Sequence, residues 1–491
     1  MINLKQKFLK GVFYTGISKY LGLVVTLLIG ILLARLLSPE EFGLVALVSV
    51  FIAFFNLLCD FGIASSIVQN KDLNEEDIIS IFIFTIFLGS FFTLIFYHSS
   101  NLISSFFNEK ELVTIVNYLS FSVFFTAINI VPTALLHKTL QFKLIGIITF
   151  FVELFSGLFA VLLAYNDYGV YSLVFKSIAK CLLMFVLFYY YSPIKLVFKL
   201  NLNSLKKISK FSFYQLSFNL VNFFARNMDN LLIGKYFNTS SLGIYDTSYK
   251  LMKLPVQNLT SVLSPVIHPI ISVIESDKSK IFNTYLKLVK ILAFIGFPIS
   301  AFFYFSSTEI IYVLYGNKWI ESVPIFKLLS ITVGFQIVLS SSGSIFQSIN
   351  RPDLLFISGC LTTISMILGI CYGVFISKTL AAIAFLLIIS FALNFFVCFY
   401  ILIVIGLNNS FHKFLKSFLK PIAITILLSA FLFGMNFLNV ESLYLSLILK
   451  IITSLLICLF SFFIIAETRE LFYVSIKKFL NESELRNMFK K

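Results

Sequence analysis

Two lysine pairs stand inside otherwise apolar stretches of this chain: Lys176 and Lys180, four residues apart, and Lys250 and Lys253, three apart. At helical spacing each pair shares one face. Arg226 and Asp229, also three apart, occupy the middle of another apolar stretch, and Asp246 precedes Lys250 by one turn. An ionised group at the centre of a hydrocarbon layer costs on the order of 3 kcal/mol on insertion scales, so such groups are functional candidates by default. Like charges on one face repel. Two same-sign pairs therefore imply a water-filled cavity or an anion held between them. A phosphate-bearing ligand suits that chemistry, because Arg offers a planar bidentate fork and Lys a point charge.

Lys176, Lys180, Arg226, Lys250 and Lys253 are thus the expected anion-binding set. Glu153, Asp229 and Asp246 are candidates for exchanging a proton or a sodium ion, since carboxylates facing a cavity can titrate. Plainer readings stand beside these. Arg226 and Asp229 would also form an internal salt bridge, and Glu153 and Asp60 would neutralise a neighbouring lysine. Lys287, Lys290, Lys327 and Lys450 lie near the ends of apolar stretches, where their stems allow the ammonium to snorkel to the headgroups. Enzymatic chemistry and a metal site are not expected. The six cysteines form no CxxC, the four histidines are scattered, and no HExxH, GxGxxG or phosphate-binding GxxxxGK[ST] loop occurs. No cofactor is expected beyond an ion gradient.

The elements that must position these residues follow from composition. The chain has 491 residues, of which 59% are hydrophobic and 12% charged, with a mean hydropathy of +0.96. Soluble domains carry about twice that charged fraction, so a polytopic membrane protein is predicted. Fourteen apolar segments, from 11–37 to 443–466, are long enough to cross a hydrocarbon core of about 30 Å. All should be helices, because unpaired backbone groups are costly in lipid. The first is expected to be retained, as no small-residue cleavage signal follows it.

Lysines and arginines crowd into alternate connecting segments, among them Lys195, Lys199, Lys206, Lys207 and Lys210, and leave only Lys110, Lys318 and Lys378 in the loops opposite. Cytoplasmic loops retain positive charge, which predicts both termini inside. The same asymmetry, with attraction to anionic inner-leaflet lipids, accounts for the net charge of +15 and removes the case for a nucleic-acid partner.

The chain also repeats itself. Residues 31–45 read ILLARLLSPEEFGLV and 231–245 read LLIGKYFNTSSLGIY, each an apolar helix end, a basic residue (Arg35, Lys235), a polar break and an apolar-Gly-apolar restart. Transporters are often built from two repeated halves around a midplane site. The predicted organisation is a six-helix lobe over 1–195, a basic cytoplasmic linker over 196–210, a second six-helix lobe over 211–405, two additional helices over 406–466 and a basic amphipathic tail over 467–491. Pro255, Pro265 and Pro269 predict a bent or broken eighth span.

The segments 32–69, 226–272, 315–331 (YGNKWIESVPIFKLLSI) and 349–355 (INRPDLL) resemble, in order, the bacterial polysaccharide flippases of the multidrug/oligosaccharidyl-lipid/polysaccharide superfamily, the colanic-acid-exporter branch above all. That resemblance implies an all-α fold of two six-helix lobes around a cavity, with two further helices, working by alternating access. The implied substrate is an undecaprenyl-diphosphate-linked oligosaccharide, flipped from the inner to the outer leaflet for capsule, exopolysaccharide or O-antigen assembly. A polysaccharide polymerase and a chain-length regulator are the further partners it implies. The alternatives are an ion-coupled drug exporter of the same superfamily, a membrane glycan polymerase or ligase, and a non-catalytic lipid-binding scaffold.

Overall fold

The structure is a computed structural model describing residues 20–70, 72–194, 216, 219–220, 223–224, 227–272, 278–438, 440 and 442–464. All regular elements among the described residues are helical. Ten helices are long and apolar enough to cross a membrane, eleven if Ser322–Ser330 and Thr332–Ser348, bent by 45°, make one span. This is a multi-pass, all-α membrane protein. Three of the fourteen expected spans are not among these: 11–37 is described only from Tyr20, as the shorter apolar helix Tyr20–Leu36, 211–237 falls largely outside the described residues, and the helix Thr239–Ser272 over the expected eighth span does not qualify by length and apolar composition.

The described chain divides into two compact units, one running to Asp246 and taking in Leu314–Trp319, the other made of Thr247–Val313 and everything from Ile320. The first contains α1 (Tyr20–Leu36), α2 (Pro39–Asp60), α3 (Ile63–Gln69), α4 (Glu75–His98), α5 (Ser100–Phe107), α6 (Leu112–Ile128), α7 (Ile130–Lys138), α8 (Phe142–Tyr165), α9 (Val170–Tyr191), α10 (227–236) and the first turns of α11 (Thr239–Ser272). The second holds the rest of α11, then α12 (Lys278–Phe305), α13 (Ser307–Tyr315, whose last two residues belong to the first unit), α14 (Ser322–Ser330), α15 (Thr332–Leu339), α16 (Ser342–Ser348), α17 (Pro352–Tyr372), α18 (Leu380–Tyr400), α19 (Phe411–Lys416), α20 (Leu419–Met435) and α21 (Leu443–Ile464).

Local sequence sets the helix starts. Ser38 caps α2, its hydroxyl accepting from Glu41 N at 3.3 Å while the Glu41 carboxylate accepts from Ser38 N at 2.6 Å, with Pro39 in the first turn. Asn74 and Asp77 do the same for α4 at 2.8 and 3.1 Å. These reciprocal caps satisfy amide groups that the first turn leaves without a partner.

Small residues set the packing, because in lipid close van der Waals fit replaces the hydrophobic drive between helices. Gly157 of α8 lies against Ile29 of α1 with no room for a methyl, beside buried Leu33, Ala160 and Ala164. In the second unit Gly334 of α15 receives the Phe297 ring of α12, and Ser300 Oγ donates to Ile331 O at 3.0 Å. A phenylalanine cluster fills the space beyond, with Phe399 and Phe414 centroids 4.7 Å apart and Phe395 and Phe418 5.5 Å apart.

The expectations of a break in the eighth span and of a snorkelling Lys450 are corrected here. The α11 backbone runs as one helix of 34 residues through all three prolines, without a break. Neighbouring structure can re-satisfy the carbonyls that proline frees, so a lost bond need not end a membrane helix. Lys450 of α21 does not snorkel; its side chain is 1% exposed and pairs with Glu309 of α13. Its ammonium also donates to Phe305 O at 2.9 Å and Asn436 Oδ1 at 2.7 Å, and Ser446 Oγ donates to the same Glu309 carboxylate at 3.0 Å. An ion pair thus docks α21 to the α12–α13 junction and the end of α20.

Candidate functional site

Lys176 and Lys180 lie on the same face of α9, one turn apart, as their spacing requires. Glu153 of α8 stands against both, Oε2 at 2.7 Å from Lys180 Nζ and Oε1 at 3.7 Å from Lys176 Nζ. The two lysines are therefore not an unpaired cationic couple awaiting an anion. One carboxylate serves two ammonium groups, which leaves the trio with one positive charge. Glu153 is 7% exposed, Lys176 18% and Lys180 45%, so Lys180 is the member an incoming anion can reach. The plainer reading of Glu153 holds without removing the cationic character.

Asp229 and Asp246 are both buried. Tyr245 OH donates to Asp229 Oδ2 at 2.9 Å and Asn230 N donates to Oδ1 at 2.9 Å. The Tyr315 hydroxyl is pushed up to about 12 by burial and, second, by the negative charge of Asp246, so it stays protonated at physiological pH. Arg226 lies outside the described residues. Its pairing with Asp229 is accordingly not placed. Asp60 ends α2, and its Oδ1 accepts from Ala64 N at 3.3 Å across the break before α3. That contact is a local cap, the ordinary use of a carboxylate near a helix start.

Along α11, residues 242–248, Leu251 and Met252 are buried, whereas Lys250 is exposed and Lys253 partly so. Lys253 Nζ sits 4.1 Å from the Tyr249 ring centroid, a cation–π contact. Gln257 is exposed seven residues after Lys250, so Lys250, Lys253 and Gln257 form a polar stripe on a helix that is otherwise packed.

At the Arg35 end of the first unit the repeat becomes structure. Phe42 N donates to Ser38 O in one copy and Leu242 N to Asn238 O in the other; Ser38 accepts from Glu41 N, and Asn238 Oδ1 from Ser241 N at 2.7 Å. Arg35 Nε donates to Leu314 O at 3.3 Å at the close of α13, and Lys235 Nζ donates to Phe106 O at the close of α5. Trp319, wholly buried, donates from Nε1 to Ala34 O at 2.7 Å, and Lys318 Nζ donates to Leu36 O at 2.9 Å. These donors satisfy carbonyls that the last turn of α1 leaves open, and the lysine charge matches the negative end of the helix dipole.

A family model described as "Polysaccharide biosynthesis protein" matches residues 32–324. The chain belongs to that family. It is 26% identical over 444 residues to the teichuronic acid biosynthesis protein TuaB of Bacillus subtilis (strain 168), covering 89% of this chain and 90% of that one. Among solved structures its fold is similar to that of the lipid II flippase MurJ in an inward closed conformation, with a TM-score of 0.72 at 16% identity over 94% of this chain and 99% of that one. An inward-facing multidrug resistance MATE family transporter of the MOP superfamily matches at a TM-score of 0.61 and 16% identity, over 77% of this chain and 93% of that one. The fold is therefore that of MOP-superfamily transporters.

Within this polysaccharide biosynthesis protein, sequence reasoning missed Tyr245, Gln257 and Glu309. Nothing marks a hydroxyl or an amide as functional when its partner lies in a distant span. Only the i, i+7 relation of Gln257 to Lys250 was there to be found.

Proposed function

We propose that this protein is a flippase that carries undecaprenyl-diphosphate-linked oligosaccharide units from the inner to the outer leaflet of the bacterial cytoplasmic membrane, by alternating access, for capsule, exopolysaccharide or O-antigen assembly. The observation that supports the reading is the set of ammonium groups on these helices: Glu153 is shared by Lys176 and Lys180, and Lys250 is exposed and Lys253 partly exposed on α11. A sugar headgroup cannot cross hydrocarbon, so the protein must supply a polar path while the polyprenyl tail stays in lipid. Lys176, Lys180, Arg226, Lys250 and Lys253 are the residues proposed to meet the diphosphate. Movement of a headgroup requires no covalent step, and the reading assigns no catalytic residue. A drug exporter of the same fold fits less well, because a cationic path repels cationic drugs. Asp229, Asp246 and Glu153 would exchange a proton or sodium ion if the cycle is ion-driven. A polymerase and a chain-length regulator would take up the flipped unit.

Reconstitution tests the proposal. In vesicles containing undecaprenyl-diphosphate-linked oligosaccharide, the purified protein should expose inner-leaflet headgroups to an impermeant sugar-modifying enzyme, whereas protein-free vesicles should keep them protected. Equal protection in both would refute the function. The proposed orientation, with both termini cytoplasmic, has its own check. A periplasm-active reporter fused after Leu200 should stay silent and one fused after Asn317 should be active, and the reverse pattern would overturn it.

A further inference from the structure

Where the two repeats meet, the helix starts cross backbone to backbone. A methyl on Gly43 would overlap the carbonyl oxygen of Thr239 and lie 3.1 Å from Gly243 N. A methyl on Gly243 would overlap the carbonyl oxygen of Pro39 and lie 3.0 Å from Gly43 N. The relation is reciprocal: each glycine faces the first residue of the other repeat's helix and the amide of the other glycine. Close backbone approach of this kind is what small residues permit between membrane helices. The neighbouring contacts are reciprocal as well, since Arg35 and Lys235 each donate to the closing carbonyl of a short helix, α13 and α5 respectively. Gly234 rests on Leu47 and Leu242 beneath the crossing, and both leucines are buried.

We infer that Gly43 and Gly243 are positioning residues of the transport cycle: their crossing closes this end of the protein, and the α2 and α11 starts must part for a headgroup to leave there. This rests on the flippase reading, which supplies the need for the end to open. The closure itself is independent of substrate. Glycine is required because any side chain would hold the two backbones apart and favour the open arrangement. The latch donors Arg35, Lys235, Lys318 and Trp319 all bind backbone carbonyls, and Lys235 also stands over the Phe106 ring.

The test reads closure directly, not transport. In the full chain with its six cysteines replaced by alanine, Leu47→Cys is exposed to a membrane-impermeant maleimide. It should label slowly. Adding Gly43→Ala or Gly243→Ala should speed labelling by about tenfold or more, the change that a shift of about 1.4 kcal/mol in the open–closed equilibrium produces. Gly30→Ala, where a methyl meets nothing within 4 Å, should leave the rate unchanged. If the crossing variants fail to accumulate, Arg35→Gln with Lys235→Gln removes latch donors without adding bulk and should also speed labelling. An unchanged rate in the crossing variants at native protein levels overturns the inference, as does an unchanged rate in the latch variant where only that one accumulates. Because labelling needs no lipid-linked sugar, accelerated labelling together with failed flipping would refute the function and leave the closure standing.

Discussion

Replacing Lys250 and Lys253 together by glutamine is expected to abolish surface polysaccharide while leaving the protein in the membrane at native levels. Neither lysine belongs to the buried face of α11, so removing the charges should cost little stability. Each charge-assisted hydrogen bond to a diphosphate is worth about 1.5–3 kcal/mol, and losing two should slow flipping about 100-fold or more. Replacing Lys287 and Lys290, which lie in the first half of α12, should have little effect on export. Normal export by the Lys250/Lys253 variant at native protein levels would remove α11 from the substrate path. The vesicle assay with the same variant separates loss of flipping from loss of a downstream partner.

The Lys450–Glu309 pair should respond in the opposite way. Lys450→Met leaves a buried carboxylate facing Ser446 without its ammonium partner, and breaking one side of a buried pair costs about 3–5 kcal/mol. Thermal unfolding of the purified protein in detergent should show a large drop in midpoint. Lys450→Met combined with Glu309→Leu should recover most of it, because replacing both members of a buried pair by apolar residues is often neutral. Lys180→Gln is the comparison. That side chain is 45% exposed and Lys176 stays beside Glu153, so this change should lower the midpoint less. A Lys450→Met protein that melts with the unaltered chain would show that α21 is held by packing alone.

Both expectations depend on which charges meet, and the sequence tells this only in part. Within one helix it tells well: the i, i+4 spacing of Lys176 and Lys180 and the i, i+3 spacing of Lys250 and Lys253 place each pair on a single face, and hydropathy locates the apolar spans, because lipid demands long apolar helices whatever their neighbours. The repeat was legible too, down to Arg35 with Lys235 and Gly43 with Gly243. Caps were legible for the same reason, as Ser38 and Glu41 need only each other.

Pairing across helices was not legible. Composition counts Glu153, Lys176 and Lys180 as three charges, but only the packing of α8 on α9 turns two repelling lysines into a bridged trio with one net charge. Lys450 reads as a snorkelling residue near a span end until the fold brings Glu309 to it from 141 residues away. Gly43 and Gly243 are each an ordinary glycine after a helix cap, and nothing in either segment states that one faces the other. Helix formation and membrane insertion are governed by local terms that act along the chain, so the sequence by itself determined the all-helical class, most of the apolar spans, the shared face of each lysine pair and the repeat. Side-chain pairing and helix crossing depend on distances between segments far apart in sequence, and those distances exist only in the folded bundle.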